Sequence, residues 1–472
     1  MRWLWMVGVV FLALLMSSAS VPAMPAPDPG QPGPYPTGSF SITTTNPDTG
    51  STIEAVIHYP ASDGAIDPSG APYAAVVFAH GFMASPSSYP GNAEHLASWG
   101  YIVALPDLPD NATEVRQSDA RHMFSYLESA NGDASSPLHG MVDLARMGVT
   151  GHSLGGLSTM IVAARDPRVR AAVALDPTNA HTIIGAEPWD YAAEAPSTTA
   201  PLLVLGAPSQ LCNAEAGYSA MCDSVGSAHR TKLVVAEASH CDFMDTNSQL
   251  HIFGCTMFCG GSYDEARVTL IERYTTAWFN YYLRGETGYY GYLYGAEAEE
   301  DVSAGRLSER ATRSSTRGVS AVAEGASIRV GWTPTDYPII AGYNVYRSTT
   351  SGQYPAQPCA QLGRDSSSFL DTGVVAGERY YYCVRSRDAA GNVHQASSEV
   401  SAVAEQAATP TTTSLPSATP TETEDIPAAP TITQPPPIEP TTTAQPPEEP
   451  TVTPRPPFEE KSRAYLPLLG HE

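Results

Sequence analysis

The chain has 472 residues, room for two or three domains, and a formal net charge of −24 from 49 acidic and 25 basic side chains. That balance argues against a nucleic-acid partner, which needs a basic face, and offers no attraction to anionic membranes. Residues 1–23 read as a signal peptide. Arg2 supplies a minimal positive region, residues 7–16 an apolar core, and cleavage is expected after Ser20 or Ala23. The apolar run is short for a membrane span and no other stretch is long enough, so a secreted protein with no transmembrane span is expected. Export permits disulfides.

Residues 24–38, rich in Pro and Gly, are expected to be a flexible leader. Residues 39–308 alternate short apolar runs with helical stretches. Residues 39–45 and 52–59 suggest a strand pair joined by the Asn46-Pro47-Asp48-Thr49-Gly50 turn, and further strands are expected at 74–79, 101–105, 146–150, 169–175, 201–205 and 232–236. The clearest helices are 92–99, 114–131 and 262–283. In the last of these Val268, Ile271, Tyr274, Trp278, Tyr281 and Tyr282 recur at helical spacing, as packing residues do. This is an α/β fold with a mostly parallel sheet covered on both faces. Residues 309–318 are expected to be a linker. Residues 319–404 change period, with alternating runs at 327–332, 342–347, 368–370 and 379–387 between Gly, Pro, Asp and Ser turns, the pattern of an all-β sandwich. Residues 405–460 are Pro/Thr-rich and cannot bury a core, so they are expected as a disordered stalk, followed by a short tail at 461–472. Of the seven cysteines, Cys359 and Cys383 are expected to pair, and Cys212–Cys222 is a plausible local bridge. Cys241, Cys255 and Cys259 then leave one thiol over, so the connectivity of the first-domain cysteines stays open. No cysteine or histidine spacing suggests a zinc site, so no metal is expected.

Gly151-His152-Ser153-Leu154-Gly155 fits the G-x-S-x-G nucleophile elbow, and it lies between an apolar strand and a small apolar helical run, as that motif requires. A serine alcohol needs a base, and the base an acid. His240 follows the last strand of the alternating region. Asp176 ends the strand after the nucleophile, with Glu215 and Asp242 as rivals. Oxyanion donors are expected at the N–H of Leu154 and of Phe82, with Met83 the second choice, after the strand that ends Phe78-Ala79-His80-Gly81. Phe82, Met83 and Trp189 are candidate residues for an apolar acyl pocket.

With these residues in place, the first domain resembles the α/β-hydrolase fold, in its dienelactone-hydrolase-like branch. The group it is nearest holds chlorophyllases, platelet-activating-factor acetylhydrolases and cutinase-like polyester hydrolases. The carrying segments are Phe78–Phe82, Gly151–Gly156, Leu175–Pro177 and Ser239–Phe243. An acid at Asp176 resembles the chlorophyllase and acetylhydrolase arrangement; the polyester hydrolases place theirs one strand later. The resemblance implies ester hydrolysis without metal or cofactor, on a lipid ester or a polyester or cutin-like polymer. Gly331-Trp332, Tyr343–Arg347 and Tyr380–Val384 resemble a fibronectin type III module. A monomer is expected, attached to a surface through its C-terminal stalk. The rival reading is a cell-surface binding protein whose hydrolase domain is degenerate.

Overall fold

The computed structural model describes residues 26–178, 191–213, 217–244 and 249–405. The expected signal peptide, the Pro/Thr-rich segment beyond Glu405 and the C-terminal tail lie outside these residues, as do Trp189 and Glu215.

A mixed sheet organises the first part of the chain. β1 (Thr37–Thr45) and β2 (Thr52–Ser62) form an antiparallel hairpin with Thr45 opposite Thr52, and a two-residue β3 (Ala65–Ile66) folds back on β2. β5 (Tyr101–Pro106) joins β2 antiparallel. It then runs parallel with β4 (Tyr73–Ala79), β6 (Val142–His152), β7 (Val169–Leu175), β8 (Leu202–Gly206) and β9 (His229–Val235). β10 (Leu307–Ser314) closes the sheet antiparallel to β9, giving the order β1-β2-β5-β4-β6-β7-β8-β9-β10.

The parallel strands are apolar on both faces because helices cover both. In β4, Val76 and Phe78 join the cluster that holds Tyr274 and Trp278, whereas Val77 and Ala79 join the one that holds Phe124 and Leu157. The first layer is built by α1 (Pro90–Ser98) and α6 (Glu265–Tyr282). The second is built by α2 (Thr113–Gly132), α3 (Leu154–Arg165) and α4 (Tyr218–Ser224). α5 (Gln249–Cys259) lies in the chain between β9 and α6, and the short α7 (Tyr290–Tyr294) and α8 (Ala296–Ser303) lead into β10.

Two boundaries differ from expectation. Residues 26–36 are not a free leader but lie against α1 and α6. Asp28 pairs with Arg273 at 2.8 Å, and His95 and Trp99 donate to the carbonyls of Pro29 and Gln31, each at 2.9 Å. Pro and Gly break regular structure, but their carbonyls still accept hydrogen bonds from side chains. Residues 309–318, expected as a linker, are mostly β10 and the start of the next strand. β10 is an edge strand whose outward side chains are charged, which hides it as a strand. One of them, Glu309, pairs with Lys232 of β9 at 2.7 Å.

Residues 317–403 fold as two antiparallel sheets. β11 (Arg317–Glu324), β12 (Ser327–Thr333) and β15 (Ser368–Asp371) make one. β14 (Ala360–Gly363), β13 (Gly342–Ser348), β16 (Arg379–Arg387) and β17 (Val400–Val403) make the other. Ile328, Val330, Trp332, Tyr343 and Tyr382 are buried in this part. The expected Cys359–Cys383 bridge does not form. The N–H of Cys359 bonds the Val345 carbonyl along one edge of β13, while Cys383 pairs with Tyr346 along the other. Two strand spacings, about 9–10 Å, separate them, beyond a disulfide's reach. Both thiols are free.

Candidate active site

β6 ends at His152 and α3 begins at Leu154, so Ser153 occupies the turn between them, with φ 58° and ψ −120°. A residue with a side chain pays strain at positive φ, and such strain is expected at a nucleophile elbow. The turn is held by a bond from the Ser153 N–H to the Leu175 carbonyl at 2.9 Å, and by one from the Thr178 N–H to the Ser153 carbonyl at 3.2 Å. Glycine is required on its inner side. A Cβ on Gly155 would lie 2.0 Å from the Ala79 carbonyl oxygen, because α3 starts against the end of β4. The Ser153 hydroxyl lies 3.5 Å from Thr178 Oγ1.

Asp176 follows β7 with φ 39° and is fully buried. Its Oδ2 lies 2.5 Å from His240 Nδ1, and its Oδ1 accepts from the Ala207 N–H at 2.9 Å and from Asn213 Nδ2 at 2.6 Å. Three donors thus replace the water that burial removes from the carboxylate. His240 opens a 3-10 turn, His240–Phe243, and its N–H donates to Gln210 Oε1 at 3.0 Å. Asp242 serves the loop and not the imidazole. Its Oδ2 accepts from the Ser239 N–H at 2.6 Å and Arg267 Nε at 2.8 Å, and its Oδ1 from the Asp264 N–H at 2.7 Å.

His152 brings the two halves of the site together. Its ring centroid is 4.4 Å from that of His240, and the Phe243 ring lies nearly parallel to it at 6.0 Å. Burial, and then the neighbouring His240, push its pKa well below the ordinary histidine value, so it stays neutral. The Gly81 N–H donates to the Tyr89 hydroxyl at 3.1 Å, which leaves that hydroxyl to donate to His152 Nδ1 at 2.8 Å. The loop after β4 is therefore tied to the residue before Ser153.

In that loop the Met83 N–H donates to Asp110 Oδ2 at 2.8 Å, and the Met83 side chain is exposed, while Phe82 is half-buried. His80 orients the loop, accepting from the Leu108 N–H at 2.8 Å and donating to the Gly81 carbonyl at 2.8 Å. Sequence reasoning missed Arg116, which is wholly buried behind this loop. Its guanidinium donates to the carbonyls of His80, Leu108 and Pro109 and to Ser158 Oγ, and burial draws its pKa down to about 10. Helix α2 reads as an ordinary amphipathic surface helix, and nothing in its pattern singles out one arginine for the interior.

Two cystines lie next to the His240 turn. Cys212 bonds Cys259 and Cys241 bonds Cys255, so the plausible Cys212–Cys222 bridge is replaced and no thiol of the Cys241, Cys255 and Cys259 group is left over. Cys222 is free and buried. The sulfurs of Cys241, Cys255 and Cys259 lie within 4.8 Å of one another, but as cystines they offer no thiolate to a metal.

A family model described as PET hydrolase-like matches residues 22–314, ending where β10 ends. The chain belongs to this family. The bis(hydroxyethyl) terephthalate hydrolase of Streptomyces coelicolor is 27% identical over 303 residues, covering 61% of this chain and 84% of that protein. The cutinase cut1 of Thermobifida fusca is 24% identical over 292 residues, covering 58% of this chain and 78% of its own. The cutinase est1 of Thermobifida alba is 28% identical over a shorter 193 residues, 39% of this chain and 59% of its own. These relatives are ester hydrolases on the polyester-hydrolase side of the resemblance drawn from the sequence. The PET hydrolase-like domain of this chain is thus an α/β-hydrolase domain with a mixed sheet, and the two-sheet part beyond Ser314 lies outside the match.

Proposed function

We propose that the protein is a secreted serine carboxylic-ester hydrolase working through an acyl-enzyme. One observation carries the reading: the 2.5 Å contact between Asp176 and His240, beside a Ser153 held at a strained strand-to-helix turn. His240 Nε2 takes the Ser153 proton as Oγ attacks the ester carbonyl. The N–H groups of Leu154 and Phe82 receive the oxyanion; the bond from Met83 to Asp110 favours Phe82 over Met83 for that role. The tetrahedral adduct collapses, His240 returns the proton to the departing alcohol, and the acyl group stays on Ser153. Water, deprotonated by His240, then releases the acid. Asp176 keeps the Nδ1–H tautomer and stabilises the imidazolium.

The substrate class proposed is a polyester or cutin-like ester, with lipid esters as the neighbouring possibility; the relatives' names support the former. Export is supported by the leader at 1–23 and by the two cystines at the site. We read residues 317–403 as a fibronectin type III-like module, since strands β11, β12 and β15 face a second sheet of β14, β13, β16 and β17. With the stalk, it suits an enzyme held at a surface.

The test is Ser153→Ala. Hydrolysis of a short p-nitrophenyl ester should fall at least ~10³-fold, and labelling by a fluorophosphonate probe should vanish. Activity above a few per cent in the variant overturns the nucleophile. A wild-type protein that neither labels nor turns over sustains the rival reading of a binding protein with a degenerate site.

A further inference from the structure

Helix α5 is apolar on the wrong side. Ile252, Cys255 and Cys259 face inward; Ile252 packs in the core and the two cysteines tie the helix to Cys241 and Cys212. Phe253, Met257 and Phe258 lie on the opposite arc, 63%, 73% and 73% exposed. A surface helix normally turns charge to water, yet residues 246–263 contain no Asp, Glu, Lys or Arg, in a chain of net charge −24.

The position of this face gives it meaning. Cys241 follows His240 directly, so the Cys241–Cys255 cystine seats α5 beside the base. Leu211, 78% exposed, and Phe258 are the neighbours of the two halves of the Cys212–Cys259 cystine, whose Cα atoms are 5.0 Å apart. Gly261, past the end of α5, returns against Ser239, where an added Cβ would come within 2.5 Å of the Ser239 Cβ. Met83 of the loop after β4 is also 73% exposed. Large exposed apolar side chains thus sit on the helix that is bonded to the residue after His240. They lie on the outside, where they cannot enclose a small molecule, and they suit contact with something larger than the site.

We propose that the outer face of α5, continued by Leu211, is a docking platform for an uncharged ester-linked polymer, which it holds while one ester reaches Ser153. The proposal rests on the hydrolase reading of Ser153. Uncharged fits because the platform has no charge to pair and the strongly acidic remainder of the chain repels anionic surfaces. The cystines supply the rigidity that a helix with its apolar side in water needs.

The test uses Phe253→Gln, Met257→Gln and Phe258→Gln together. These side chains are exposed, so their replacement leaves folding intact. In a Ser153→Ala background, partition onto an amorphous polyester film should fall about tenfold, the loss expected when three apolar contacts are removed. In the active protein, film hydrolysis should fall comparably while turnover of soluble p-nitrophenyl butyrate stays within about twofold. Unchanged partition overturns the proposal, and so does equal loss on film and soluble ester. Dissociation of a dimer by the triple change, or partition onto uncharged lipid vesicles but not film, overturns it in favour of another occupant. The hydrolase reading fails separately, if the wild type leaves the soluble ester intact.

Discussion

Asp176 and Asp242 are both buried carboxylates near one histidine, and their partners separate them. Asp176 gives one oxygen to the imidazole and the other to two donors from the loop after β8, Ala207 and Asn213. Asp242 gives both of its oxygens to backbone N–H groups and Arg267, which fastens the His240 turn to α6. Asp176→Asn should therefore lower kcat by ~10³–10⁴, as loss of the tautomer-fixing acid does in a triad. Asp242→Asn should destabilise the fold by ~1–3 kcal/mol, because a half-buried guanidinium and two N–H groups lose their charged acceptor, with a much smaller fall in kcat. Steady-state kinetics beside thermal melts of the two variants check this pair. Near-normal turnover in Asp176→Asn would remove the acid assignment.

At the scale of elements, the cystines tie α5 to the loops that carry His240 and Asn213. One bond closes a sequence separation of 14 from Cys241 to Cys255, and the other a separation of 47 from Cys212 to Cys259. Constraint of the unfolded chain gives about 3 and about 4 kcal/mol respectively for loops of these lengths. Reduction, verified by thiol titration, should lower both Tm and ester turnover, since the loops carrying His240 and Asn213 lose their anchor together. Full turnover in the reduced protein would end the bracing role. These same elements mark how far the sequence could be read. The candidates Ser153 and Asp176 could be singled out because each directly follows an apolar strand, β6 and β7, and His240 because it lies in the loop after β9, where apolar runs and turn residues announce the position. The cystines were not, because α5 has no charged face to give it a helical signature, and without a helix nothing places Cys255 and Cys259 one turn apart. β10 was missed for the opposite reason, its edge charges masking its period. Arg116 reached the interior through a tertiary arrangement, the carbonyls at the end of β5 and after β4, that no local pattern encodes.

The molecule as a whole is joined by buried tyrosines and histidines between the PET hydrolase-like domain and the two-sheet part. Tyr281 of α6 lies 3.0 Å from His394 Nε2 and donates to Asp388 at 3.3 Å. Tyr337 donates to the Thr199 carbonyl at 2.7 Å, and Arg170 pairs with Asp336 at 2.8 Å. His229 of β9 faces His394 with ring centroids 4.7 Å apart, and Tyr290 and Tyr294 close the group. Burial lowers the pKa of His394 to about 4 and holds that of His229 well below its ordinary value, with His394 adding to the effect. A depressed folded-state pKa means that the unfolded chain binds more protons between about pH 4 and the ordinary value near 6.5. Stability therefore falls as pH drops through that window and levels off below it. One such histidine accounts for on the order of 3 kcal/mol. His58 and His95, drawn to about 4 by their own burial, add to the same slope. The expected outcome is a Tm that declines steadily from pH 6.5 to 4.5 in the wild type. His394→Gln should start from a lower Tm, having lost its packing, but decline less steeply by about one proton's worth. Parallel declines in the two proteins would show that the joint between the two parts is not where acid acts.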